Sequence, residues 1–144
     1  MRVLALVVGL VSCARAHGQL VVGNDVDSNM WLIDVEGISP ARAIVRGTSA
    51  LSGAIAWDPT GTLYWVNGQQ RLMKAANNPA GEMTAVVVGP LTVGGAAAAN
   101  FAGLAFDRAE RRLFAYRNNG ALGTEGFYEV NATTAACTLV WAAP

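Results

Sequence analysis

An acidic cluster near the N-terminus has the spacing of a calcium-binding loop. Asp25, Asp27 and Asn29 alternate along the chain as oxygen ligands do at the start of such a loop. Glu36 then falls at the twelfth position, where the loop supplies a carboxylate. The loop also needs glycine at its sixth position, but Met30 stands there and begins a strand pattern, so an Asp/Asn-rich turn is the simpler interpretation. If calcium binds, we expect Asp25, Asp27 and Asn29 to be its ligands.

The sequence lacks the residue sets of the common catalytic sites. His17 is the only histidine, so a Ser–His–Asp triad has no plausible base, and neither Gly-x-Ser-x-Gly nor a glycine-rich phosphate loop occurs. Cys13 and Cys137 are the only cysteines, and no His/Cys set has the spacing of a zinc site. No spacing of carboxylates argues for paired-carboxylate hydrolysis. The sequence favours a protein without catalytic chemistry, with calcium as the only cofactor to consider.

Two carboxylates and the tryptophans are further candidates. Asp58 and Asp107 follow equivalent strand patterns, and a carboxylate at a strand end can accept hydrogen bonds from the free N–H groups of the following turn. Because a site is usually built once, recurrence favours this structural role over a ring of carboxylates. Four tryptophans could stack on sugar rings: Trp31, Trp57, Trp65 and Trp141. Their alternation within strand patterns predicts that they pack in the core instead.

The N-terminus has the organisation of a secretory signal peptide. Met1-Arg2 is positively charged, Val3–Val11 is an unbroken apolar run, and Ala14–Ala16 supplies the small residues of a cleavage site. The run has about half the length that a transmembrane helix needs, so residues 1–16 are predicted to be removed. The alternatives are a buried N-terminal strand and a lipobox at Leu10–Cys13 that would leave a lipid on Cys13. The predicted location is secreted, periplasmic or on the cell surface.

Composition describes one folded domain. The chain has 144 residues, of which 53% are hydrophobic and 14% charged, and its 10 basic and 10 acidic side chains balance. This composition excludes disorder for most of the chain, and the absence of a basic excess argues against a nucleic-acid partner. After the predicted cleavage Cys137 is the only cysteine, so residues 17–144 must be held together by their core.

The mature segment contains a repeat of about fifty residues. Leu51–Asp58 is followed by a turn and Leu63–Trp65, and Phe101–Asp107 is followed by a turn and Leu113–Tyr116. Asp58 and Asp107 are 49 residues apart. The following segments repeat too, so each full unit is predicted to hold four short strands separated by turns. The last strand of the second unit is predicted at Met83–Val88, and Gly95–Asn100 is predicted to be a linker between units.

Four-stranded units at this period are typical of a β-propeller, in which each unit forms one blade. The predicted blades cover approximately residues 18–49, 50–99 and 100–144. The first lacks one strand, so the prediction is an all-β partial propeller of about two and three-quarter antiparallel blades. The same strands could also form a β-sandwich.

The strand motifs resemble those of known propeller families. Gly53–Asp58 followed by Leu63–Asn67 is similar to the YWTD repeat, and Leu104–Asp107 followed by Leu113–Tyr116 is similar to the repeats of NHL, TolB-like and related bacterial exported propellers. The resemblance covers most of residues 18–143.

Closed propellers contain about 4–8 blades, so this chain is short of a ring. We therefore expect a non-catalytic exported binding or scaffold module that belongs to a larger propeller, with a protein or carbohydrate ligand and no transmembrane segment. The alternatives are a segment of a propeller hydrolase or lactonase, and a lectin-like ring formed by homo-oligomerisation.

Overall fold

The computed structural model describes residues 9–11, 20–24, 29–34, 40–46, 51–78, 81–118 and 123–143. These residues form fourteen β-strands in three sheets and contain no helix. The prediction of an all-β fold is therefore confirmed.

The first sheet is a four-stranded antiparallel meander. Its strands are β1 (Gly9–Val11), β2 (Leu20–Asn24), β3 (Met30–Asp34) and β4 (Arg42–Val45). β1 lies within residues 1–16 and pairs with β2. The first sheet therefore has four strands, whereas the sequence predicts that the first blade lacks one. The signal peptide stays a prediction.

The second sheet is again a four-stranded antiparallel meander. Its strands are β5 (Leu51–Trp57), β6 (Leu63–Asn67), β7 (Arg71–Ala75) and β8 (Val86–Pro90). The sequence predicts that the last strand begins at Met83, but the structure begins it at Val86. The reason is that the Met83 N–H donates a 2.6 Å hydrogen bond to the Ile44 carbonyl of β4, while the Met83 side chain is buried between the first two sheets.

The third sheet contains a third meander and an added hairpin. The hairpin is β9 (Thr92–Val93) with β10 (Ala96–Ala97), and the meander is β11 (Phe101–Asp107), β12 (Arg112–Arg117), β13 (Gly126–Val130) and β14 (Ala136–Ala142). The sequence predicts only a linker where the hairpin lies. Gly94 and Gly95 take φ values of +60° and +83°, which two-residue hairpin turns require, and β9 then pairs in parallel with the edge strand β14.

The second sheet lies between two hydrophobic cores. Leu63 and Trp65 of β6 pack into a core shared with the first sheet, whereas Tyr64 and Val66 pack into a core shared with the third. Successive side chains of a strand point to opposite faces of its sheet, so a sheet covered on both faces needs a continuous apolar run. The run Leu63–Val66 meets this requirement.

Candidate functional site

The repeated carboxylates cap turns, as the sequence predicts. Asp58 Oδ1 accepts hydrogen bonds from the backbone N–H groups of Thr60 and Thr62, both at 2.8 Å, and from the Thr60 hydroxyl at 2.7 Å. Asp107 Oδ1 accepts from the N–H groups of Ala109 at 2.9 Å and Glu110 at 3.3 Å. Burial alone would raise the pKa of Asp58, but the hydrogen bonds from Thr60 and Thr62 outweigh it and hold the pKa below its ordinary value of 3.8.

The tryptophans divide between the core and the surface. Trp65 is fully buried between the first two sheets, and the half-buried Trp57 packs against the same cluster, so the packing prediction is confirmed for both. Trp31 is half-buried. Trp141 is 50% exposed, and for this residue the prediction is wrong because the face of the third sheet that carries it is not covered by another sheet among the described residues.

The calcium candidates are not brought together by the described structure. Asp25 and Asp27 lie outside the described residues, and Asn29 directly precedes β3. Met30 is fully buried as the first residue of that strand, which suits a core position rather than the middle of a calcium loop. No group of three or more His, Cys, Asp or Glu in the described ranges could hold a metal ion.

A cleft of about 510 Å³ with several polar side chains opens on the second sheet, at the end where the Asp58 turn lies. Tyr64 and Lys74 occupy directly paired positions of β6 and β7, so their side chains lie on the same face of the sheet. The cleft is lined by Thr62, Tyr64, Lys74, Ala76, Asn77, Asn78, Glu82, Thr84 and Val86. It therefore combines three hydroxyl groups, two amides, one ammonium and one carboxylate.

The loop between β7 and β8 forms one wall of this cleft and is tied to the first sheet. Glu82 Oε1 accepts a hydrogen bond from Arg46 Nε at 2.6 Å, and the Glu82 carbonyl accepts one from Asn78 Nδ2 at 2.9 Å. The bond from Met83 N–H to the Ile44 carbonyl adds a backbone anchor. These contacts hold the wall in place, and Arg46 compensates the charge of Glu82.

The remaining charge in the cleft is that of Lys74, the only lysine of the chain. The Lys74 ammonium group makes no ion pair or hydrogen bond with another described residue. Tyr64 is stacked against Phe106 of the third sheet, with ring centroids 6.5 Å apart and an angle of 16° between the planes. Burial, and then the negative charge of Asp58, raise the pKa of Tyr64, so its hydroxyl stays protonated at neutral pH and is able to donate a hydrogen bond.

The chemistry of the cleft is not repeated in the third sheet. Strand pairing aligns β6 and β7 with β12 and β13, because Leu63 pairs with Ala75 as Leu113 pairs with Val130. The aligned pairs are Thr62 with Arg112, Tyr64 with Phe114, and Lys74 with Glu129. Unlike the turn-capping carboxylates, these polar groups are present in only one of the two sheets compared, which is the pattern expected of a site.

A second surface feature is aromatic. On the third sheet the rings of Tyr116 and Phe127 lie 5.1 Å apart, and those of Phe127 and Trp141 lie 5.8 Å apart. The Tyr116 hydroxyl donates a 2.6 Å hydrogen bond to Glu125, and this bond raises the pKa of Tyr116. Beside the rings is an apolar depression of about 360 Å³. It is lined by Gly103, Leu104, Ala105, Phe114, Ala115, Tyr116 and Phe127.

Comparison with known proteins gives a likeness of fold alone. No protein-family model and no curated protein matches the chain. The chain is similar to a structural genomics protein of unknown function from Bacteroides thetaiotaomicron VPI-5482, with a TM-score of 0.61 and 13% sequence identity. The similarity covers 85% of this chain but 30% of the length of that protein. Within the described residues, no helix has the length and hydrophobicity to cross a membrane.

Proposed function

We propose that the chain is a non-catalytic, exported binding module built from propeller blades, and that it binds a hydroxyl-rich ligand in the cleft around Lys74. The observation that carries the proposal is the Lys74 ammonium group, which has no side-chain partner among the described residues and lies in a cleft of about 510 Å³ lined by hydroxyls, amides and the Arg46-paired Glu82. Ligand sites combine a concave shape with a few converging polar groups, and this cleft meets both conditions.

The arrangement of the sheets supports the propeller over the sandwich. Each sheet contains a meander of sequential strands, and the second sheet is covered on both faces by its neighbours along the chain. A two-sheet sandwich covers each of its sheets on one face. The proposed module is one segment of a larger propeller ring, because three blades are too few to surround an axis.

The charges of the cleft favour a ligand with one carboxylate. Arg46 already compensates Glu82, whereas no acidic side chain of the described ranges pairs with Lys74, which is able to pair with an incoming anion. The hydroxyls of Thr62, Thr84 and Tyr64 and the two amides suit the hydroxyl groups of a sugar. A uronic acid combines both features. No described residue set favours the hydrolase or lactonase alternative.

The single lysine makes the proposal directly testable. An amine-acetylating reagent can modify only Lys74 and the α-amino terminus, and peptide mass spectrometry reports each rate separately. We expect galacturonate to slow acetylation of Lys74 and to leave the N-terminus unaffected. Galactose, which has the same ring without the carboxylate, should protect about tenfold less well, as expected for the loss of one charge-assisted hydrogen bond.

Variants separate the cleft from the rest of the surface. Lys74→Gln should weaken galacturonate binding, measured by ligand-observed NMR, by about tenfold or more. Arg71→Gln removes a positive charge from an exposed residue at the other end of the same strand and should leave binding unchanged. Equal protection by galacturonate and galactose, or no protection by either, would contradict the proposal.

A further inference from the structure

The third sheet turns away from the second sheet a face that carries exposed aromatic rings, bordered by Glu129, which pairs with Phe114, and by Arg112, whose guanidinium lies 5.1 Å from the centre of the Phe114 ring. We call this surface the aromatic face and define it by Phe114, Tyr116, Phe127 and Trp141. Phe127 is 47% exposed and Trp141 is 50% exposed. A contiguous apolar surface of this kind on a soluble domain typically marks an interaction site.

Three residues of the aromatic face occupy the positions that the second sheet uses to bind the third. Strand pairing aligns Phe114, Tyr116 and Phe127 with Tyr64, Val66 and Leu72, respectively. Each of these second-sheet residues is at most 8% exposed, because the third sheet covers it. The aromatic face is therefore built like a surface that receives another sheet, and it continues the row of sheet-to-sheet contacts in the molecule.

The small residues beside the rings fit the same purpose. Counting back from the aligned pair Trp57 and Phe106, Ala105 corresponds to Ala56, which is 6% exposed in the core between the second and third sheets. In the same way Gly103 corresponds to Ala54, which is fully buried in that core. Small side chains on the first strands of the second and third meanders, β5 and β11, let a neighbouring sheet approach closely.

We propose that the aromatic face is covered by the first sheet of a second copy of this chain, and that two copies close a ring of six sheets. The first sheet has an apolar face to offer: Met30 and Leu32 pack toward the second sheet, so the half-buried Trp31 and Ile33 lie on the opposite face. Six sheets are within the range of about 4–8 that closed propellers contain. This inference rests on the proposed propeller architecture and is independent of the ligand in the cleft.

The contact joins different surfaces of the two copies, the third sheet of one to the first sheet of the other. Contacts of this kind form a closed ring when the rotation per chain fits, and an open polymer when it does not. A closed ring of two chains contains two such contacts, so a single substitution on the aromatic face alters both of them.

The test is the mass of the full chain in solution, measured by light scattering during size-exclusion chromatography. The 15.0 kDa chain should elute as a dimer of about 30 kDa at a loading of about 100 µM, and dilution toward about 1 µM measures a dissociation constant in the micromolar range. Phe127→Glu places a charge in the proposed contact and should raise the dissociation constant at least about tenfold. Val87→Glu is the matched control, because Val87 is 49% exposed on the second sheet and lies outside the aromatic face.

Two further measurements keep the outcomes distinct. Far-ultraviolet circular dichroism shows whether Phe127→Glu still folds, and Tyr116→Glu provides a second variant on the same face. Acetylation of Lys74 in the presence of galacturonate reports on the cleft separately from the mass. A monomer, an open polymer, or a dimer that Phe127→Glu and Tyr116→Glu leave intact would overturn the inference.

Discussion

The aligned residues Leu72 and Phe127 provide a sharp test of how the sheets are packed. Leu72 is fully buried between the second and third sheets, so Leu72→Ala removes contacts that the fold cannot replace. Such a substitution in a core costs about 2–5 kcal/mol of unfolding free energy. Phe127 occupies the equivalent position on the third sheet but is 47% exposed. A fully buried phenylalanine would cost about 3–5 kcal/mol on replacement by alanine, so about half of that, roughly 2 kcal/mol, is expected for Phe127→Ala in the dissociated chain.

We expect Leu72→Ala to lower the unfolding free energy more than Phe127→Ala does, although leucine is the smaller side chain. Urea unfolding followed by tryptophan fluorescence measures both variants, with the slope m checked for constancy so that midpoints can be compared. At concentrations where two copies associate, the cost of Phe127→Ala should rise, since binding to the folded state adds to apparent stability. Val87→Ala is the control for an exposed strand position and should cost less than about 1 kcal/mol. If Phe127→Ala were as destabilising as Leu72→Ala in dilute protein, the burial difference between the two faces would be wrong.

The remaining predictions concern two titratable groups. Asp58→Ala should lower the unfolding free energy by about 1 kcal/mol at neutral pH, a value kept small because solvent screens this partly exposed carboxylate. The folded state lowers the pKa of Asp58, so the contribution of Asp58 to the unfolding free energy should be constant above the ordinary pKa of 3.8 and be lost as the pH falls through the folded-state pKa. A difference in unfolding free energy between Asp58→Ala and the unmodified chain that grows in acid would refute this sign. Burial raises the pKa of the Cys137 thiol to about 11, against smaller opposing effects of Thr92 and Arg117, so a thiol reagent at about pH 8 should react with Cys137 only after denaturation. Rapid labelling of Cys137 in the folded protein, read by mass spectrometry, would contradict its burial.

The fold class and most strands could be predicted from sequence because the signals are local. The structure contains three meanders, as the fifty-residue spacing and the apolar strand patterns predict. The Asp residues at the strand ends lie at the turns. The turn-capping role of Asp58 and Asp107 also follows from residue type and position, since a carboxylate at a strand end has free N–H groups within reach.

The errors have identifiable physical causes. Met83 is apolar like a strand residue, but it lies in a loop that is anchored to the first sheet and places its side chain in the core. The sequence does not distinguish an apolar residue buried in a strand from one buried in a loop. The hairpin β9–β10 consists of small residues and forms where β9 can pair with β14, a partner that lies about forty residues further along the chain. The strand pattern predicts Trp141 in the core, but it is 50% exposed. Alternation along a strand is the same whether or not another sheet covers that face.

The residues of the cleft do not form a sequence motif. Tyr64 and Lys74 become neighbours through strand pairing, and Glu82 joins them because its loop is tied to Arg46 of the first sheet. The signal that was present in the sequence is a difference between repeats. Aligning the two full units places Lys74 opposite Glu129, which reverses the charge at one position of an otherwise similar strand.

Aligned positions therefore distinguish three kinds of residue. Asp58 and Asp107 are identical and perform the same turn-capping task, so their repetition reflects the needs of the backbone. Leu72 and Phe127 are both apolar but differ in exposure, because the third sheet covers Leu72 whereas no sheet of the described residues covers Phe127. Lys74 and Glu129 differ in charge although their backbones pair equivalently. Glu129 pairs with Arg112 at 3.4 Å, whereas the residue aligned with Arg112 on the second sheet is the neutral Thr62, so only the third sheet matches the charge at this position. The proposed binding role gives Lys74 a purpose, because its ammonium group has no side-chain partner among the described residues and is able to pair with an anionic ligand.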